Sequence, residues 1–154
     1  MMVTTALQKS KWLWRAILIA CLIQVAFWAF DRSPPFKLIS YTSTSAPPGK
    51  SVLLTAKVRR DLSRECSVVF SRHFFDSSGA RYDLVAGQYM SAYALRLMDQ
   101  LTPGELRLRD DLPESVTPGL AHLFTNLEYS CNKFHRLVWP IEVTMELDFI
   151  VDKP

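Results

Sequence analysis

The first thirty residues of this 154-residue chain contain no Asp or Glu, and the stretch Trp12 to Phe30 contains no Pro or Gly either. Without acidic residues or helix breakers, and with Arg15 as its one charge, this stretch has nothing to interrupt an apolar helix. Its nineteen residues, at about 1.5 Å each, reach roughly 28 Å, close to the hydrocarbon thickness of a bilayer. Several other absences bear on function. The chain has no Gly-rich phosphate loop, nucleophile elbow, HExxH or CxxC, so no sequence pattern announces catalysis. It has no Asn-x-Ser/Thr, which leaves glycosylation no foothold. No cofactor, metal site or small-molecule substrate is called for, and the expectation is a protein that is not an enzyme.

What is present begins with the flanks of that apolar run. Lys9, Lys11 and Arg15 precede or open it, Trp12 and Trp14 sit at one end, and Phe27, Trp28 and Phe30 at the other. Aromatic rings favour the headgroup level, and a basic flank favours the cytoplasmic side. Arg15 can snorkel towards the near interface. The expected organisation is a short basic cytoplasmic tail (1–11), a transmembrane helix (12–30), a linker (31–35) and a domain (36–154) on the far side. That places the protein in an inner (cytoplasmic) membrane, with its C-terminal part periplasmic or extracellular. Two rival readings stand beside the uncleaved anchor. Leu18-Ile19-Ala20-Cys21 is similar to a bacterial lipobox, which would make Cys21 a lipidation site, though Arg15 would interrupt its apolar region. The third is a cleaved secretory signal, but a cut after Ala29 would put bulky Phe27 where a small residue is wanted.

The basic flank also accounts for the overall charge of +3. Residues 31–154 hold fifteen basic and fifteen acidic residues. The basic pI therefore reflects the anchor and gives no ground for nucleic-acid binding, which needs a basic face. A formally neutral domain also predicts no long-range steering of charged ligands.

All nine prolines and five glycines lie outside the apolar run. They cluster at turn-like sites: Pro34-Pro35, Pro47-Pro48-Gly49, Ser78-Gly79, Gly87, Pro103-Gly104 and Pro118-Gly119. Between them, short runs alternate. Phe36 to Thr42 predicts a first strand. Ser51 to Arg60 puts Val52, Leu54, Ala56 and Val58 on one face, and Cys66 to Phe75 puts Cys66, Val68, Phe70 and Phe74 on one side. Asp76-Ser77-Ser78-Gly79 predicts a hairpin turn leading to Arg81–Val85. Gly104–Asp110, Leu120–Cys131 and Ile141–Val151 alternate again. Tyr89 to Leu101 fits a short helix or an edge strand equally well. Seven or so strands in one domain of this length predict an all-β, antiparallel two-sheet sandwich.

Pro118-Gly119, the strand that follows, and Tyr129-Ser130-Cys131 resemble the immunoglobulin/fibronectin type III superfamily. That resemblance implies a tyrosine corner, in which the Tyr129 phenol ties back to an upstream backbone group. The sequence departs from it in two ways: Cys66 opens the third strand instead of lying on the second, and no Trp sits on that third strand, where Phe70 would fill the core. In the implied topology the third and sixth strands are antiparallel neighbours. Cys66 and Cys131 then share one end of the sandwich, and a Cys66–Cys131 disulfide is expected in an oxidising compartment; two buried free thiols are the alternative.

The same end gathers two loops, Arg59–Glu65 and Asn132–Trp139. Phe134, His135, Arg136 and Trp139 are residue types enriched at binding hot spots, which makes the second loop the candidate site for an unknown protein partner. The plainer reading is that Phe134, Leu137 and Trp139 cover the end of the core. A second functional class is an envelope enzyme or metal-handling domain using His73, His122 or His135. Cys131-x-x-x-His135 has ligand-like spacing, but Cys66 and His73 are separated by roughly 23 Å of strand and cannot share a site. Asp110-Asp111 would point apart on a strand and be solvated in a loop, and His73 and His122 are expected to face outwards with no sequence-evident carboxylate partner. The lipobox-like element and small size suit a bacterial or bacteriophage envelope protein, with the domain binding or supporting a membrane complex.

Overall fold

The computed structural model describes residues 3–61 and 63–154, with side chains from residue 11 onwards apart from that of Asp99. Its order is α1 (Val3–Phe30), β1 (Phe36–Ser43), β2 (Ser51–Arg60), β3 (Ser67–Phe75), β4 (Arg81–Met90), α2 (Ala92–Leu101), β5 (Glu105–Asp111), β6 (Gly119–Ser130), α3 (Lys133–Leu137) and β7 (Ile141–Val151). The strands form two antiparallel sheets, β1-β2-β5 and β4-β3-β6-β7, so the domain is an all-β sandwich preceded by an apolar helix. The span Lys11–Phe30 is long and apolar enough to cross a membrane, and none of it is buried against the domain.

The alternating runs explain the sheets. β2 buries Val52, Leu54, Ala56 and Val58 and turns its intervening residues outwards. β7 does the same with Ile141, Leu147, Phe149 and Val151. The larger apolar cluster centres on Leu54, Phe74, Leu123, Leu147 and Phe149. A smaller one joins Val68, Leu95, Tyr129 and Ile141 at the end where α1 enters. The hairpin after β3 closes on Gly79 at φ +84°, a left-handed conformation that suits glycine. Asp76 secures that hairpin. Its Oδ1 accepts from Ser78 N and Oγ and from Ala80 N, and its Oδ2 accepts from Thr117 N at 3.0 Å. Burial alone would raise the Asp76 pKa, but these hydrogen bonds, led by that of the Ser78 hydroxyl, hold it well below the usual carboxylate range.

The ambiguous stretch Tyr89–Leu101 is both elements in turn. Tyr89 and Met90 finish β4, Ser91 caps α2 by accepting from Ala94 N at 3.3 Å, and ten residues of helix follow. Leu95 and Met98 turn inwards, while Tyr93, Leu97 and Leu101 are exposed. The predicted Asn132–Trp139 loop contains the one-turn helix α3, started by Asn132 Oδ1 accepting from His135 N at 2.8 Å.

Two expectations are settled inside the sandwich. Asp110 and Asp111 lie on β5 and point apart as strand neighbours do: Asp111 is exposed, while Asp110 is buried and Arg72 of the opposite sheet meets it at 2.7 Å. Burial raises the Asp110 pKa, and the Arg72 guanidinium opposes that rise. Both residues sit on the inward phase of their strands, between the two apolar clusters. The Tyr129 corner is not formed. Among the described residues no hydrogen bond runs from its phenol to an upstream backbone group, and the ring stacks on Phe36 at 5.9 Å.

Removing one partner of a buried ion pair strands the other charge. Arg72→Met should therefore lower unfolding free energy by about 3–5 kcal/mol, while Arg72→Met with Asp110→Leu should recover most of that loss in denaturant titrations. Asp76→Asn should cost about 1–3 kcal/mol through unsatisfied donors in the hairpin. Because the folded Asp76 pKa is depressed, its contribution is present above the ordinary value of 3.8 and is lost as the pH falls below it.

Candidate functional site

Cys66 immediately precedes β3 and Cys131 immediately follows β6. These strands pair in register from Ser67 opposite Ser130 to Phe75 opposite His122. The next opposed pair is Cys66 and Cys131, and they form a disulfide with a Cα–Cα distance of 4.0 Å. The bridge joins neighbouring strands of one sheet. In the chain-entropy picture a loop of this length, 65 residues, stabilises the fold by roughly 4 kcal/mol. Cys21 is free and exposed on α1.

At this capped end the chain enters and leaves the bundle of loops several times, and the contacts there hold α1. Asn132 Nδ2 donates to the Trp28 carbonyl at 3.3 Å. Arg32 donates to the Pro140 carbonyl at 3.2 Å and lies over the Trp139 ring at 4.0 Å. Arg64 meets the Asp31 carboxylate at 2.6 Å and also donates to the Ser33 carbonyl. Residues from three loops thus grip the last turn of the helix and its exit. In the loop Arg59–Glu65, Leu62 lies outside the described residues, as does the side chain of Lys9 at the other end of the helix.

The four residues predicted as a partner-binding loop divide accordingly. His135 is wholly buried beneath the junction, and Phe134 is half-buried. Trp139 serves Arg32 with one face but remains half-exposed. Arg136 is exposed and helps line an open cleft of about 320 Å³ with Ser67, Tyr89, Glu128 and Pro140. Among the flanking residues, Lys11, Trp12, Trp14 and Arg15 are exposed along α1, and Trp28 is half-covered where the helix meets the domain.

The three histidines do not converge. His73 and His122 share the outer face of the β4-β3-β6-β7 sheet, whereas His135 lies at the capped end, about 27 Å along β6 from His122 at strand rise. His73 is not freely exposed: it stacks on Phe124 at 5.5 Å and meets the edge of Phe75. His122 has the carboxylate partner that the sequence did not reveal. Its Nδ1 is 2.7 Å from Asp148 and 3.7 Å from Glu146. These three side chains bring ligand-type atoms within 4.8 Å of one another on a half-exposed face. Cross-strand pairing of His122 with Asp148 accounts for the arrangement. The outward phase of both strands was readable, but their register was not.

Register also reveals a charge pattern that net charge conceals. The outer face of β1-β2-β5 carries Lys37, Lys57, Arg59, Arg107 and Arg109 against Glu105 and Asp111. The outer face of β6 and β7 carries Glu128, Glu142, Glu146 and Asp148. The domain is formally neutral in sum, yet its two outer faces differ in charge. Between the sheets lies an apolar cavity of about 180 Å³, lined by Phe36, Met90, Leu95, Met98, Leu127 and Met145 among others, with Arg72 and Thr125 at its wall.

No protein-family model matches the chain, and no curated protein matches it.

Neither ring nitrogen of His135 makes a well-formed hydrogen bond. Burial pushes its imidazole below the ordinary value of 6.5; Asp31 and the Trp28 carbonyl pull the other way, and Arg64 and Arg32 add to the push. A depressed folded-state pKa means that the junction is most stable above pH 6.5 and weakens as the pH falls below it. Thermal midpoints should be flat from pH 8 down to pH 7, then fall as the pH drops below 6.5. His135→Gln should flatten that limb, leaving only the carboxylate-dependent fall at lower pH.

Proposed function

We propose that this protein is a single-pass, membrane-anchored, immunoglobulin-like module that binds or supports a protein partner and performs no catalysis. The carrying observation is the junction: the last turn of an apolar helix of membrane-spanning length is gripped by the disulfide-capped end of the sandwich. A cleaved signal would have little use for such a grip. The grip ties one end of the domain to the helix and leaves both charged faces and the far loops open.

The strand order supports the immunoglobulin-like assignment. The first, second and fifth strands face a sheet ordered fourth-third-sixth-seventh, as strands A, B and E face C, F and G with an added C′. The basic flank of α1 supports an N-terminus in the cytoplasm, and the disulfide supports an oxidising compartment beyond the membrane. A bacterial inner membrane with a periplasmic domain fits these features. The lipoprotein reading at Cys21 and the secreted soluble reading are the competitors.

Membranes carrying the full chain should retain it through alkaline carbonate. Protease added from the far side should remove the domain, and Cys66 and Cys131 should resist alkylation until reduced. Intact mass should include residues 1–20. Loss of those residues, or free alkylation of both cysteines beside a protease-protected domain, would overturn the assignment. For the partner, the charged faces give a contrast. Lys57→Glu with Arg107→Glu, compared with Glu142→Lys and Glu146→Lys, should abolish crosslinking to the partner in one pair only, with stability within about 0.5 kcal/mol of wild type. Loss of crosslinking in neither pair would remove the sheet faces from the reading.

A further inference from the structure

We infer that α3 and the turn after it form a second membrane contact, with Leu137, Val138 and Trp139 immersed in the lipid interface of the leaflet in which α1 ends. This rests on the reading of α1 as a membrane anchor. The geometry then leaves the turn little freedom. Phe30 closes the apolar span and is 86% exposed. Two residues later, Arg32 bonds the Pro140 carbonyl and covers one face of Trp139. Asn132, the cap of α3, bonds the carbonyl of Trp28 inside the span. The segment 132–140 is thus fixed at both ends to residues 28–32, which stand at the depth where the helix leaves the hydrocarbon.

At that depth the turn exposes a continuous apolar tip. Leu137 is 80% exposed, Val138 69% and Trp139 52%. The side chains are too exposed to serve the core, and three consecutive apolar residues at a loop tip would be costly in water. Lys133 and Arg136 are exposed on the same short helix. Apolar residues at a tip, tryptophan at its edge and basic residues beside it match an element lying in the interface plane. A protein partner would have to reach this tip within the headgroup layer. Lipid is the occupant already there, continuous with the lipid around α1. The sandwich is therefore held by two points, and its capped end faces the bilayer.

The test uses the full chain in phosphatidylcholine/phosphatidylglycerol vesicles, with Trp12, Trp14 and Trp28 changed to Phe so that Trp139 is the sole tryptophan. Lipids carrying a nitroxide high on the acyl chain should quench Trp139 strongly, and iodide in the water should quench it weakly. Adding Leu137→Asp with Val138→Asp should reverse both, with the Cys66–Cys131 disulfide and the far-ultraviolet spectrum unchanged, since both side chains lie outside the core. A companion chain retaining only Trp28 reports on the anchor. Trp28 quenched by lipid with Trp139 quenched by iodide would overturn the second contact and leave the anchor standing. Trp139 shielded from both quenchers would show cover by protein and also overturn it. Neither tryptophan quenched by lipid would remove the anchor and the inference together.

Discussion

The pairing of β3 with β6 is the constraint from which the rest of the molecule follows. Their register runs unbroken from Ser67–Ser130 to Phe75–His122 and brings Cys66 against Cys131. A slip of one residue would turn every side chain on one strand to the wrong face. It would also separate the cysteines and displace Asn132, which caps α3 and bonds the end of α1. The capped end, the helix junction and the outer-face histidines all take their positions from this one ladder.

The interior is less uniform than a sandwich core of this size needs to be. Two apolar clusters are separated by the Arg72–Asp110 pair, Thr125 and an apolar cavity. A buried pair of this kind adds little net stability over apolar replacements, but it penalises any arrangement that parts its members. Arg72 lies on one sheet and Asp110 on the other, so the pair specifies how the sheets face each other. The hydrogen-bonded Asp76 does similar work at the far end, joining the β3–β4 hairpin to the segment before β6.

Much of the architecture was legible because its strands alternate strictly. β2 and β7 announce their faces residue by residue, and the prolines and glycines mark the turns. What was hidden depended on partners distant in sequence. Arg72 and Asp110 both fall on inward positions, a phase that signals burial, yet nothing local shows that they meet. His122 and Asp148 become a pair only once β6 and β7 are in register. Tyr89–Leu101 was ambiguous because a strand end and a helix share it, separated by the single capping residue Ser91. α3 escaped notice because five residues are too few for a periodic signal. The junction was least visible of all, since carbonyls of Trp28 and Pro140 do much of the work and carbonyls leave no mark in a sequence.

The placement of the disulfide has a mechanical consequence. β1 and β7 both run away from the disulfide-capped end, and Ala46 meets Val151 in parallel at the other. Tension applied between α1 and the C-terminus would pull along these strands, so the β1–β2 and β6–β7 ladders would be sheared as blocks instead of unzipped bond by bond. Once they gave way, force entering at Cys66 would pass through sulfur directly to Cys131. Everything from Ser67 to Ser130 would stay slack. The extensible length is limited to the stretches outside that bridge, so extension under load would reach a fixed stop.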